Sequence, residues 1–186
     1  MTTQRILDRA AGRLAAILER DHTRIVFAES CTGGLVSATL TRVPGISAWH
    51  CGSAVVYQLE TKQNWLGIPA DLLEDPGPVS REVASAMAAG VLERTPRADV
   101  AVSVTGHLGP DAPRGQDGLV FVALASRGST GAAGKSVIRR RRLDGADGAT
   151  GVRVRRRRQR EATLLVLEAA AEFLDRGKSG GRSGSI

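Results

Sequence analysis

"FAESCTGGLV", residues 27–36, decides how this chain is read. Ile25–Ala28 reads as a short buried strand, and Leu35, Val36 and Leu40 read as the apolar side of a helix. Between them lies the turn Glu29-Ser30-Cys31-Thr32-Gly33-Gly34. A strand-to-helix turn gathers free backbone N–H groups and a partial positive charge at one spot. That spot suits a phosphate or a developing oxyanion. Ser30 or Cys31 at the same spot is a candidate nucleophile. Hydroxyls at a helix start and glycines in a tight turn are also ordinary capping chemistry, and on local pattern alone caps are the commoner explanation.

The pattern outside the turn alternates helix and strand. Helix is expected over residues 4–20, after the turn to about Arg42, over 60–67, from Ser80 to about Arg94, and over 152–176. "VPG" at 43–45 stops the second of these, and Ser80 caps the fourth. Strands are expected at 24–28, 53–58, 99–104, 118–126 and 135–143, the last two as a hairpin. The fold class is therefore α/β: a three-layer α/β/α sandwich around a mixed, mostly parallel sheet. Residues 1–176 form one domain, followed by a Gly/Ser-rich flexible tail at 177–186.

A chain of 186 residues suffices for one domain with a sizeable core. Aromatics are only 3%, so that core must be built from Ala, Val and Leu. No stretch approaches the ~20 apolar residues that cross a bilayer, and the first helix carries charges throughout, unlike a secretory signal. Two cysteines, Cys31 and Cys51, make no disulfide framework. A cytoplasmic protein with no membrane partner is expected. The net charge of +7 arises wholly within residues 139–186, because the residues before them sum to zero.

A serine needs a base to take its proton. His22, His50 and His107 stand in no arrangement that announces a triad. Lysine is the other usual base, provided that it is desolvated. The chain has only Lys62, Lys135 and Lys178, and arginine fills the remaining basic positions without being able to act as a base. Lys62 follows the strand at 53–58 and lies near Tyr57, the chain's one tyrosine. Taken alone, Lys62 reads more readily as a solvated helix residue. "SVTGHLGP" places Thr105 and Gly106 at the end of another strand, opening a long loop over 105–117. If the two strands run the same way, both loops open onto one edge of the sheet.

"AESCTGG" (28–34), "VPG" (43–45), Gly52, Val55, Tyr57 and Lys62 together resemble the CinA carboxy-terminal domain family. Val79-Ser80, Val83-Ala84, Met87-Ala88, Gly90, Thr105-Gly106 and Gly109-Pro110 extend the resemblance over about residues 4–175. Members of that family include nicotinamide mononucleotide amidohydrolases. The resemblance implies Ser30 as the nucleophile on the nicotinamide carboxamide and Lys62 as its base. It implies Tyr57 as a proton relay or orienting group, and Thr105 as a holder of the pair or the substrate. The turn residues Cys31, Thr32, Gly33 and Gly34, with Gly106, would bind the substrate. A small nucleotide substrate and a homodimer are implied, with no metal and no cofactor. Full-length members carry an additional pyrophosphatase-like domain, so a stand-alone form is expected.

The loop "TGHLGPDAPRGQDGL" departs from the family pattern, placing His107, Asp111, Arg114 and Asp117 where small or uncharged residues are usual. Two runs of four arginines, 139–142 and 155–158, also need an account. The second lies near a helix start, where cations oppose the macrodipole. Acidic neighbours, a bound phosphate or another subunit would offset it; the functional readings are the nucleotide phosphate or a nucleic acid, and a solvated face on an arginine-rich chain is the favoured one. The scarcity of aromatics counts against single-strand recognition.

Overall fold

The computed structural model describes residues 3–128, 133–144 and 151–179. Its elements follow one another as α1 (Thr3–Asp21), β1 (Ile25–Glu29), α2 (Leu35–Leu40), β2 (His50–Val55), α3 (Leu59–Leu66), α4 (Ala70–Glu74), α5 (Arg81–Glu93), β3 (Val100–Gly106), β4 (Leu119–Arg127), β5 (Ala133–Arg142) and α6 (Val152–Ser179). The five strands form one sheet in the order β2-β1-β3-β4-β5.

Alternation along each strand divides the core. Ile25 and Phe27 of β1, Val100, Val102 and Val104 of β3, and Val120, Val122 and Leu124 of β4 face α1, α2 and α6. Val26, Ala28, Ala101, Phe121 and Ala123 face the opposite layer, where Leu66, Leu73, Val83, Met87 and Val91 of α3, α4 and α5 pack. Both faces of the central strands are buried, which is why they read as continuous apolar runs. The expected three-layer sandwich is present.

β1 pairs in parallel with β2 and β3, whereas β3–β4 and β4–β5 are antiparallel. Four of the five strands point the same way, yet the pairings divide evenly. The sheet is thus mostly parallel in direction but not in its hydrogen bonding, because the single reversed strand β4 has two neighbours.

Most element boundaries shift by one or two residues from the sequence reading, and α4 replaces part of an expected loop. The helix after the glycine turn ends at Leu40, not near Arg42. The second strand occupies His50–Val55, not 53–58. The Val56 N–H still donates to Glu29 O at 2.8 Å, but the carbonyls of Val56 and Tyr57 turn to a lysine instead. α6 continues to Ser179, and the rest of the expected tail, 180–186, lies outside the described residues.

This topology sets the location of any site. β1 lies between its two parallel partners, so the chain leaves its carboxyl end where connections diverge to either side. Ligands of open α/β sheets sit in the crevice at such a switch point. The turn after β1, the segment after β2 and the loop after β3 all open there.

Candidate active site

The turn after β1 depends on two glycines in succession. Gly33 (φ 61°) and Gly34 (φ 93°) both lie in the left-handed region that side chains disfavour. They fold the chain back so that the first N–H groups of α2 meet Glu29. The Glu29 carboxylate is fully buried and accepts from Val36 N (3.0 Å), Ser37 N (3.0 Å), Thr32 Oγ1 (2.8 Å) and Ser53 Oγ (3.0 Å). It therefore caps α2 from outside the helix and binds the turn to β2. Sequence reading assigned no role to Glu29, although a glutamate ending an apolar strand is itself a signal.

Ser30 is held by its N–H, which donates to Val104 O of β3 at 3.0 Å. Its hydroxyl meets Lys62, which α3 carries inward until it is only 2% exposed. Lys62 Nζ donates to Ser30 Oγ at 3.1 Å, to Val56 O at 2.9 Å and to Tyr57 O at 3.3 Å. The two carbonyls are those that leave the β2 ladder. Among the described residues no carboxylate pairs with this ammonium. Burial pushes its pKa down from 10.5 to about 8. A lysine so placed is a base near neutral pH that is aimed at a serine hydroxyl.

Cys31 is buried beside them, and burial pushes its thiol up to about 12. It stays a neutral thiol at ordinary pH, so the rival nucleophile at this turn is not activated.

A cavity of about 220 Å³ opens over the pair. Ser30, Cys31, Tyr57, Lys62, Thr105 and Gly106 line it, and His107 and Arg155 complete its rim. Thr32, Gly33 and Gly34, expected to hold substrate, do not line it. Thr32 is turned inward onto Glu29, and the two glycines shape the bend behind the cavity. Gly106 lies so close to β4 that a Cβ would stand 2.7 Å from Val120 Cγ2 and 2.8 Å from Leu119 O.

The hydroxyls of Thr105 and Tyr57 have partners other than Ser30 and Lys62. The Thr105 hydroxyl donates to Pro78 O at 2.8 Å, tying the end of β3 to the segment before α5. The Tyr57 phenol is 53% exposed and accepts from Arg155 Nη2 at 2.5 Å, whereas only its backbone carbonyl touches Lys62. No proton relay through the phenol follows from this arrangement.

Sequence reading missed Arg155 as a cavity residue, and the two arginine runs supply further structure. Arg155 Nη1 donates to Gly109 O at 2.7 Å. Arg158, 5% exposed, forms a two-point pair with Asp117 at 2.7 Å and also reaches Leu108 O. Arg142 on β5 donates to Gly115 O and Asp117 O. Three arginines from the two runs thus hold the loop over 107–118 beside the cavity. The Arg158 guanidinium keeps the Asp117 carboxyl below its usual range. An acidic neighbour is therefore part of the answer to the cations at the start of α6.

Comparison with known proteins identifies the family and the fold. The family model for the CinA C-terminal domain matches residues 7–153. A chain of Symbiobacterium thermophilum, named as a competence-damage inducible protein, is 49% identical over 127 residues, covering 67% of this chain and 29% of that one. A CinA-like protein of Citrifermentans bemidjiense is 44% identical over 119 residues, covering 63% and 28%. This chain thus spans less than a third of the length of these curated relatives. Among solved structures, competence damage-inducible protein A of Klebsiella pneumoniae superposes with a TM-score of 0.80 at 26% identity, covering 91% of this chain and 97% of that one. The competence/damage inducible protein CihA of Agrobacterium tumefaciens gives 0.79 at 30%, covering 91% and 96%. With the glycine turn, the serine–lysine contact and the sheet topology all in place, the chain belongs to the CinA C-terminal domain family.

Proposed function

We propose that this domain is an amidohydrolase of a nicotinamide nucleotide, converting nicotinamide mononucleotide to nicotinic acid mononucleotide and ammonia through Ser30 and Lys62. The observation that carries the reading is the 3.1 Å contact between Ser30 Oγ and a buried lysine whose pKa is about 8. Neutral Lys62 takes the Ser30 proton as Oγ bonds to the carboxamide carbon. The C–N bond then breaks, and Lys62 returns the proton to the leaving nitrogen, which departs as ammonia. Water attacks the acyl-serine by the same proton route in reverse, freeing the acid and restoring Ser30. The Cys31 N–H, which donates to no backbone carbonyl among the described residues, stands next to the nucleophile for the developing oxyanion. Arg155 at the cavity rim supports recognition of an anionic substrate such as a nucleotide phosphate.

The test is ammonia release from nicotinamide mononucleotide by the wild type, Ser30→Ala and Lys62→Ala. Turnover should vanish in the serine variant and fall by roughly 10²–10⁴-fold in the lysine variant. A wild type that releases no ammonia from this substrate overturns the assignment. Release that survives Ser30→Ala overturns the mechanism.

A further inference from the structure

We propose that the outward face of α6 near its start is a sequence-independent docking surface for the phosphate backbone of duplex DNA. Arg155 and Arg158 turn inward to the loop and the cavity. Arg153, Arg156, Arg157 and Arg160 turn outward, and all four are exposed. With Thr3 at the start of α1, they line a hollow of about 370 Å³. Their spacing of three, four and seven residues places them on one helix face. Seven residues of helix cover roughly 10 Å, about the axial rise of three phosphates along one strand.

Among the described residues this charge is largely uncompensated. Arg157 pairs with Glu161 at 2.8 Å. Arg153, Arg156 and Arg160 form no ion pair among the described residues. Asp8, on the same helix as Thr3, is engaged by Gln4 and Arg42. Arg153 also stands in the first turn of the helix, where the dipole repels a cation. A bound polyanion removes both penalties.

The composition of the patch selects the type of polyanion. Among the described residues no apolar side chain lines the hollow, so they offer no buried anchor of the kind a protein partner needs. Nor, among the described residues, does the hollow have an aromatic side chain on which unpaired bases would stack. Arginine offers paired N–H donors to phosphate oxygens. These features together suit a duplex backbone.

The experiment measures fluorescence anisotropy of a short labelled mixed-sequence DNA duplex titrated with the full chain between about 50 and 200 mM salt. The variants are Arg153→Ser/Arg156→Ser/Arg160→Ser and a control of equal charge loss at exposed arginines elsewhere, Arg81→Ser/Arg140→Ser/Arg141→Ser. Melting temperature establishes that both fold. We expect wild-type affinity to fall steeply with salt. The α6 variant should lose up to about 2.7 from the slope of log K against log salt, about 0.9 per lost contact, while the control keeps most of its slope. No duplex binding at low salt overturns the proposal. Equal loss in both variants overturns it in favour of diffuse attraction, and equal displacement by poly-glutamate in favour of an acidic protein surface. None of these outcomes depends on ammonia release, so the proposal stands or falls apart from the amidohydrolase reading.

Discussion

Lys62 shows how one buried side chain sets both chemistry and stability. Its amine must be neutral to accept the Ser30 proton, and its folded pKa is about 8. The proposed activity should therefore rise with pH and level off above about 8, as kcat/KM measured across the range will show. The same shift has a stability consequence. Between about 8 and the ordinary 10.5 the unfolded chain holds a proton that the folded chain has released, so stability rises with pH in that window. Relative to Lys62→Met, the wild type should gain more than about 2 kcal/mol between about pH 7 and about pH 10 in urea melts. A constant difference would mean that the ammonium is not desolvated. Cys31, with its thiol pushed up to about 12, gives the complementary expectation: Cys31→Ala keeps ammonia release within a few-fold of the wild type.

Among the elements, the loop over 107–118 and helix α2 illustrate opposite routes to order. The loop has little apolar anchorage beyond Leu108 and is fastened by arginines from two distant elements. Asp117→Asn keeps the shape of the side chain but removes the charge that holds Arg158. It should loosen the loop, raise KM more than it lowers kcat, and speed tryptic cleavage after the exposed Arg114. Unchanged cleavage at Arg114 would show that the carbonyl contacts alone suffice. Helix α2, only six residues long, is too short to persist by propensity. It relies on Glu29 for its first N–H groups. Glu29→Gln exchanges one accepting oxygen for a donor facing other donors, and should cost at least about 2 kcal/mol in denaturant melts.

At the level of the molecule, the sheet separates two cores and presents its parallel carboxyl ends to a single crevice. Phe27, fully buried in the face towards α1 and α6, is one of the few aromatic contributions to the core. Phe27→Ala should cost about 3–5 kcal/mol, measured by urea unfolding. Much of this architecture was legible from alternation and turn residues, because a period of two or of 3.6 is imposed locally. Ser30, Tyr57, Lys62 and Thr105 were legible as residues, and the structure brings all four to one cavity. What Tyr57 and Thr105 do there was not legible. Their hydroxyls are claimed by Arg155 and Pro78 O, partners far along the chain.

By itself, the sequence determined the order of helices and strands apart from α4, which falls where its prolines had indicated only a loop, together with the glycine turn and the scarcity of lysine that singles out Lys62. Each of these follows from steric and hydrophobic preferences acting over a few residues. Only the tertiary structure decided which arginines of two identical runs are structural, which line the cavity and which face outward. Four adjacent arginines are chemically alike in a linear chain. They diverge only when a helix turning 100° per residue sets one against Asp117, one against Tyr57 and the rest towards solvent. The desolvation that makes Lys62 a base is likewise a product of packing: α3 must dock before the ammonium loses its water.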